Sequence, residues 1–223
     1  MLAQRLSLSL PTIKPLGWIP TDEASLEAWY KNRTGLTLGA GVSPPVSAWA
    51  DSSTNGIDMV QATLLEQPAY TAVGGILTFV SANNRNLQSA SQISLTGDFT
   101  IGIKSNPAIA AAGSFLADNT TTTELFKYDN ATRIKVKIDS ANVNLDLDSG
   151  TFGDDYLVIT RVSNVLTLWH NGTAQTGTTP TAAGTSDIDA IGIRATDVDA
   201  YDGTIQEIQI YSSSSADLTA NVN

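Results

Sequence analysis

Cysteine is absent from the 223 residues, so neither a disulfide framework nor a thiolate metal site is available. Stability has to come from the core and from association. Histidine occurs once, at His170, which removes any multi-histidine metal site and leaves a Ser-His-Asp arrangement resting on one residue beside an Asn-Gly turn. That histidine is read as structural. Glutamate is scarce: Glu23, Glu27, Glu66, Glu124 and Glu207 are the whole set, a thin supply for the paired carboxylates that glycoside hydrolysis requires. Lys and Arg number 12 against 22 acids, a net charge of −10, which argues against nucleic acid as a partner because phosphate binding is driven by cations. Long apolar runs are also missing. The mildest candidate, Pro107 to Ala117, is short and alanine-rich, so no membrane insertion is expected. The early Leu-Ser-Leu-Ser-Leu run ending at Pro11 is too short and polar for a signal-peptide core, so export is expected by another route or as part of a larger particle.

What is present suits strands. The chain is 42% hydrophobic and 15% charged, with 17 Gly and abundant Ser and Thr, which fits a single large β domain with short turns better than a helical bundle. The richest stretch runs from Tyr156 to Gly172. Two β-branched and aromatic runs flank Ser163-Asn164, and the second run closes on Asn171-Gly172, a dipeptide suited to tight turns with positive φ. Leu166 and Leu168 face one way and Val165 and Trp169 the other, which places this hairpin at the centre of a two-layer sandwich.

Residues 1–25 form an irregular arm broken by Pro11, Pro15 and Pro20, with Leu6, Leu8, Leu10, Ile13, Leu16 and Trp18 too apolar to stay in water. The arm packs either on its own domain or on a neighbouring chain. From Thr21 to Tyr30 an N-cap and early acids favour a short helix, with an extended Leu-Glu-Ala-Trp-Tyr strand as the competing reading. Phe99, Ile101 and Ile103 alternate along one face. Ile134, Val136 and Ile138 alternate more strictly, with Arg133, Lys135 and Lys137 outward, as in a half-exposed strand. A short helix is expected to begin at Ser215-Ala216-Asp217-Leu218.

The order of pieces carries a resemblance. Trp49, Asp51 and Ser53 form a Trp-Xaa-Asp-Xaa-Ser loop, Gln61-Ala62-Thr63 a strand, Pro68 and Tyr70 a Pro-Xaa-Tyr step, and Gly75 to Phe79 a glycine-led strand. Gly203 to Tyr211 makes a Gly-Xaa-Ile-Xaa-Glu-Ile-Xaa-Ile-Tyr ending. Together these residues resemble the concanavalin A-like, laminin-G-like jelly-roll modules found in phage structural proteins and bacterial surface proteins. The resemblance implies an all-β, antiparallel jelly-roll β-sandwich over residues 26–223. It implies a non-enzymatic virion structural role, as a capsid decoration, head-fibre or tail-associated protein that adheres to host-surface glycans. Its partners would be virion proteins or sister subunits reached through the arm, including a homo-oligomer. The alternative is a lectin-like carbohydrate-binding module of a bacterial surface, extracellular rather than on a virion. A glycoside hydrolase ranks below both, because the chain lacks the Glu-Xaa-Asp-Xaa-Glu strand of the family's laminarinase-type enzymes.

For ligands, the aspartates cluster at Asp146 and Asp148, Asp154 and Asp155, Asp187 and Asp189, and Asp197, Asp199 and Asp202. Hard cations take several oxygen ligands, so the Asp197-Asp199-Asp202 loop is the better candidate for calcium, the alternative being ordinary turn-forming aspartates and no cofactor. Laminin-G-like modules often hold calcium at the sandwich rim, as the resemblance would have it. Sugar recognition calls for exposed aromatics beside polar groups, with Trp49, Tyr128, Trp169 and Tyr201 as candidates. Tyr201, inside the acidic loop, stands first, together with Asp197, Asp199 and Asp202. Four Asn-Xaa-Thr stretches, at Asn32, Asn119, Asn130 and Asn171, are read as chance in a threonine-rich chain.

Overall fold

Short runs of β-branched and aromatic residues, broken by Gly, Asn and Asp, give strands too short to stand alone, and their apolar faces have to be stacked. The computed structural model describes residues 17–108, 113–195 and 198–222. Residues 1–16 of the arm lie outside them. In chain order the strands are β1 (Leu26–Tyr30), β2 (Leu36–Leu38), β3 (Val46–Trp49), β4 (Met59–Val60), β5 (Ala69–Thr71) and β6 (Ile76–Phe79). The longer β7 (Leu87–Leu95) and β8 (Phe99–Pro107) follow, then β9 (Gly113–Ala117), β10 (Leu125–Asn130), β11 (Arg133–Ile138) and β12 (Ala141–Asp146). The last group is β13 (Asp155–Val162), β14 (Val165–His170), β15 (Thr173–Ala174), β16 (Ser186–Ile191), β17 (Gly203–Tyr211) and helix α1 (Ala216–Val222).

These strands make two sheets, and the pairings between them are antiparallel. One has eight strands in the order β15-β14-β13-β8-β17-β6-β5, with β1 also on β17. The other has nine, in the order β12-β11-β10-β9-β16-β7-β4-β3-β2. Between them lies one core: Phe99, Ile101 and Ile103 from the first sheet meet Phe115, Phe126, Ile134 and Val136 from the second. Each such side chain contributes about 1.5–3 kcal/mol on burial. The alternations expected for β8 and β11 are both present.

The hairpin of β13 and β14 forms as the sequence indicates. Ser163 and Asn164 take φ of 49° and 68°, and Asn171 and Gly172 take 48° and 80°, so both turns use the left-handed conformation that matches strand twist. Ser163 is an unusual residue there, and its N–H is held by Asp98 Oδ1 at 2.7 Å. The hairpin is not the centre of the fold, however. β14 lies beside the short edge strand β15, and the middle of the sheet is β8, flanked by β13 and β17.

The reason β8 is central is that both its faces are buried. Its inward row is aliphatic and aromatic. Its outward row includes Gly102, where a Cβ would strike Val222 of α1, and Thr100, whose Oγ1 donates to Ser213 O at 2.9 Å. Ser215 caps α1 by accepting from Leu218 N at 3.0 Å, so the expected helix is present. Leu218 and Val222 join Leu26, Trp29, Val158 and Tyr211 in a second, smaller core on this outer face, with Trp18, Tyr156 and Trp169 packed against it.

Between Thr21 and Tyr30 the strand prevails over the helix. A single 3-10 turn, Pro20–Asp22, precedes β1, which pairs Trp29 with Gln209 and Tyr30 with Ile208. The acids that mimic a helix start have other partners: Glu23 accepts from Trp18 Nε1 at 3.2 Å.

Arg161 ties the sheets together. It is 1% exposed, faces no carboxylate at ion-pair distance among the described residues, and donates to Gly97 O, to Gly184 O at 2.8 Å and to Leu95 O at 2.9 Å. Its guanidinium lies 4.8 Å over the Phe99 ring. Burial holds its pKa below the ordinary arginine value, against the opposing pull of Asp98 and Asp139.

Candidate functional site

The loop into β17 separates the residues grouped by sequence. Tyr201 is fully buried, its ring stacked 6.0 Å from Tyr128 and edge-on to Phe79 at 5.9 Å, with its hydroxyl donating to Thr204 O at 3.3 Å. Its N–H donates to Gly192 O at 2.8 Å, which fixes the chain direction and points the ring inward. Burial, first, and then the neighbouring Tyr128 push its phenol well above the usual range. Expected to be exposed as a sugar platform, Tyr201 is instead a core residue. Trp49 and Tyr128 are buried as well, and Trp169 packs beneath the second core.

Asp199 adopts a left-handed φ of 52° that aims its carboxylate at two cations, Lys127 Nζ at 3.1 Å and Arg194 Nη2 at 3.0 Å. Asp202 lies elsewhere, accepting from Ser81 Oγ at 3.2 Å beside a recess of ≈ 190 Å³ lined partly by Thr78, Asn106 and Thr204. Asp197 lies outside the described residues. The expected calcium set is therefore not assembled by Asp199 and Asp202. Among the described residues, no group of three or more His, Asp or Glu is placed to hold a metal ion.

His170 fits its structural reading. Its Nε2 lies 3.1 Å from Asp155 Oδ2 and its ring packs edge-on to Phe152. Burial works to raise the Asp155 carboxyl, but hydrogen bonds from Asn171 Nδ2, Gly153 N and His170 outweigh it and hold the group below its usual pKa.

The charged side chains gather on the outward face of the nine-stranded sheet. Register puts Lys127 of β10 opposite Lys135 of β11, while Phe126 and Val136 beside them point inward. Directly opposed like charges are unfavourable unless bridged. Here Asp129 lies 3.0 Å from Lys135 Nζ and 3.8 Å from Lys127 Nζ, and Asp199 takes the other side of Lys127. Arg133 pairs with Asp146 of β12 through two nitrogens, at 2.7 and 3.2 Å. Lys137, opposite Asn142, reaches no carboxylate among the described residues and donates to Thr122 O at 2.5 Å. Asn144 stands opposite Lys135. The sequence shows the β11 cations facing outward. It does not show that Lys127, Arg194, Asp129 and Asp199 join them, because only strand register and the fold of a distant loop bring them there.

Farther across the same sheet three carboxylates lie under the turn that joins β9 to β10. Asp118 accepts from Thr120 N, Thr120 Oγ1 and Thr121 Oγ1, Glu124 accepts from Thr121 Oγ1 at 2.9 Å, and Asp189 accepts from Asn119 N. Asp118, Glu124 and Asp189 are 1%, 4% and 5% exposed, so this arrangement holds a turn rather than presenting acids to a polymer. Burial tends to raise the Asp118 carboxyl, but the donors from Thr120 and Thr121 win and lower it. At Asp189 burial prevails over the Asn119 N–H, helped by the charges of Asp118 and Asp187, and the pKa is raised. A third feature is a polar recess of ≈ 230 Å³ lined by Glu23, Glu27, Thr54 and Asn55 at the start of β1.

No family model matches the chain, and no curated protein matches it by sequence. Solved structures do match. The structure reported under the description that cell entry of botulinum neurotoxin type C depends upon interaction with two ganglioside molecules aligns with a TM-score of 0.56 at 11% identity. That match covers 89% of this chain and 50% of the other. A mutant of Trypanosoma rangeli sialidase displaying trans-sialidase activity aligns at 0.50 and 13% identity, over 89% of this chain and 32% of its own. Trypanosoma rangeli sialidase in complex with sialic acid aligns at 0.50 and 15% identity, over 91% and 33%. The chain thus spans half or less of the length of these solved chains. What the likeness shows is the fold, an all-β antiparallel sandwich of two sheets of the concanavalin A-like type.

Proposed function

We propose that the chain is a carbohydrate-binding module without catalytic activity, and that it binds through the outward face of the nine-stranded sheet. The observation that carries this is the contrast between that face, lined by ion-paired cations and the exposed Asn142 amide, and the buried state of the clustered acids. Sugars are bound by planar, bidentate polar groups held in fixed geometry, which Arg133 and Asn142 supply from neighbouring strands. The structural neighbours add support of a weaker kind, since their descriptions name a ganglioside and sialic acid as ligands. A glycan array followed by calorimetry tests the proposal. Saturable binding to at least one glycan, with no release of reducing ends on prolonged incubation, is the expected result. A flat array sinks binding, and turnover sinks the non-catalytic part.

A place on a virion is the finer reading, and its support is the sequence of the arm. Residues 1–25 carry the apolar side chains suited to docking on a particle or a sister subunit. Removal of residues 1–16 should prevent incorporation and leave the sandwich folded. A truncated chain that joins the particle normally would remove this role and leave the cell-surface alternative.

A further inference from the structure

In a chain of net charge −10, five of the twelve Lys and Arg, namely Lys127, Arg133, Lys135, Lys137 and Arg194, meet on and beside one patch centred on β10 and β11. Among the described residues, three carboxylates, Asp129, Asp146 and Asp199, answer them at ion-pair distance. The patch is therefore positive on a molecule that is negative as a whole. Such a local reversal of sign draws anions to one place and repels them elsewhere.

Spacing gives the patch a direction. Arg133, Lys135 and Lys137 occupy alternate positions of β11, so their side chains leave the sheet at intervals of about 7 Å and span about 13 Å along the strand. The three carboxylates hold Arg133, Lys127, Lys135 and Arg194 in position from the side, which lowers the entropy cost of ordering long side chains on binding. Lys137 has no carboxylate partner at ion-pair distance among the described residues and stands at the end of the row, beside the Asn142 amide. One boundary of the track is set by Asp187, which shares the outward face with Ser94 on the β16 and β7 side and would repel an anion straying there.

We infer that this row is the binding track of a linear acidic polysaccharide, one bearing sulfate or uronate groups at regular intervals, lying along β11. The inference rests on the carbohydrate-binding reading and narrows it to a ligand class. Repeated anionic groups meet repeated cations, and intervening hydroxyls meet the exposed Asn142 amide. Aromatic stacking is not needed, which agrees with the burial of Trp49, Tyr128 and Tyr201. Single-stranded nucleic acid carries the same charge but asks for exposed aromatic platforms beside the cations, and the residues paired on this face supply none.

Calorimetry on the full chain, with dextran sulfate, alginate and unmodified dextran of matched length, tests the assignment. Dextran sulfate or alginate should bind, unmodified dextran should bind at least tenfold more weakly, and affinity should fall as salt rises. Lys135→Gln with Lys137→Gln should weaken binding about tenfold or more, while the paired Arg substitutions should retain it. Lys31→Gln with Arg33→Gln, an equal loss of charge on the exposed segment after β1, should leave affinity unchanged. Unchanged melting temperatures in all three double variants show that folding is not what is being read. Equal binding of dextran and dextran sulfate would overturn the acidic class while leaving carbohydrate binding intact. Absence of binding to any glycan would overturn both. Equal weakening by the Lys31 and Arg33 pair would show general charge rather than a track, and an oligonucleotide bound as tightly as dextran sulfate would overturn the polysaccharide.

Discussion

The two sheets treat their outer faces in opposite ways. The eight-stranded sheet covers its outer face with α1 and a second core of Trp18, Trp29, Val158, Tyr211 and Trp169, so β8 is dry on both sides. The nine-stranded sheet leaves its outer face to Lys127, Arg133, Lys135 and their carboxylates. A sheet sealed on both faces is committed to stability. A sheet with one face in water and its charges ordered is free to bind. Under the proposed function, stability falls to one layer and recognition to the other, which says where substitutions should act on melting temperature and where on affinity.

The largest effect should come from the residue that belongs to both layers. Arg161→Leu removes the donors to Gly97 O, Gly184 O and Leu95 O and leaves buried carbonyls unpaired, at a cost of about 3–5 kcal/mol in denaturant unfolding. A loss below about 1 kcal/mol would show that the layers do not depend on this tie. Next comes the covered face: Leu218→Ala should cost about 2–4 kcal/mol and loosen α1 from Val158, read by chemical denaturation and by faster amide exchange in β8 and β13. If the helix is dispensable, exchange in those strands stays unchanged.

A smaller effect, and one that depends on pH, is expected at Asp189. Its pKa is raised in the folded protein, so its contribution is least favourable when ionised at neutral pH and improves as pH falls through the folded value. Asp189→Asn should therefore raise the melting temperature at pH 7, with a gain that fades as the wild type takes up its proton. Asp118 has the opposite sign: its lowered pKa gives stability present above the ordinary carboxylate range and lost on acidification through the folded value. Melting curves of both asparagine variants across pH separate the two, and parallel behaviour would contradict the assignment. The smallest effect belongs to the open face, where Lys135→Gln should change stability by no more than about 0.5 kcal/mol, because exposed ion pairs contribute little. A cost of 2 kcal/mol or so would mean that the charged face serves the fold and not a ligand.

The sandwich was legible because its signals are local. Alternation in β8 and β11 and the Ser163-Asn164 and Asn171-Gly172 turns depend on neighbours in sequence, and all are present. What was not legible depends on distant partners. Leu26 to Tyr30 follows a Thr and two acids that suit a helix start, yet pairing with Ile208 to Tyr211 makes it a strand. β8 outranks the β13–β14 hairpin because the segment more than a hundred residues later covers it, Ser213 at Thr100 and Val222 of α1 at Gly102. Tyr201 sits among aspartates that suggest a wet loop, but a hydrogen bond to Gly192 turns its ring inward. Of the charged network, only the β11 row could be read without knowing which strand lies beside it.

The pairing of β1 with β17 bears on how the molecule is made. Trp29 Nε1 donates to Glu207 across 178 positions of chain, so an emerging polypeptide holds its first strand without its strand partner until the seventeenth has left the ribosome. At 5–20 residues per second that wait is roughly ten to forty seconds. Through it, the aromatic side of β1 and one edge of β8 are exposed to wrong partners, and efficient production in a cell should depend on a holding chaperone or on slow, cool expression.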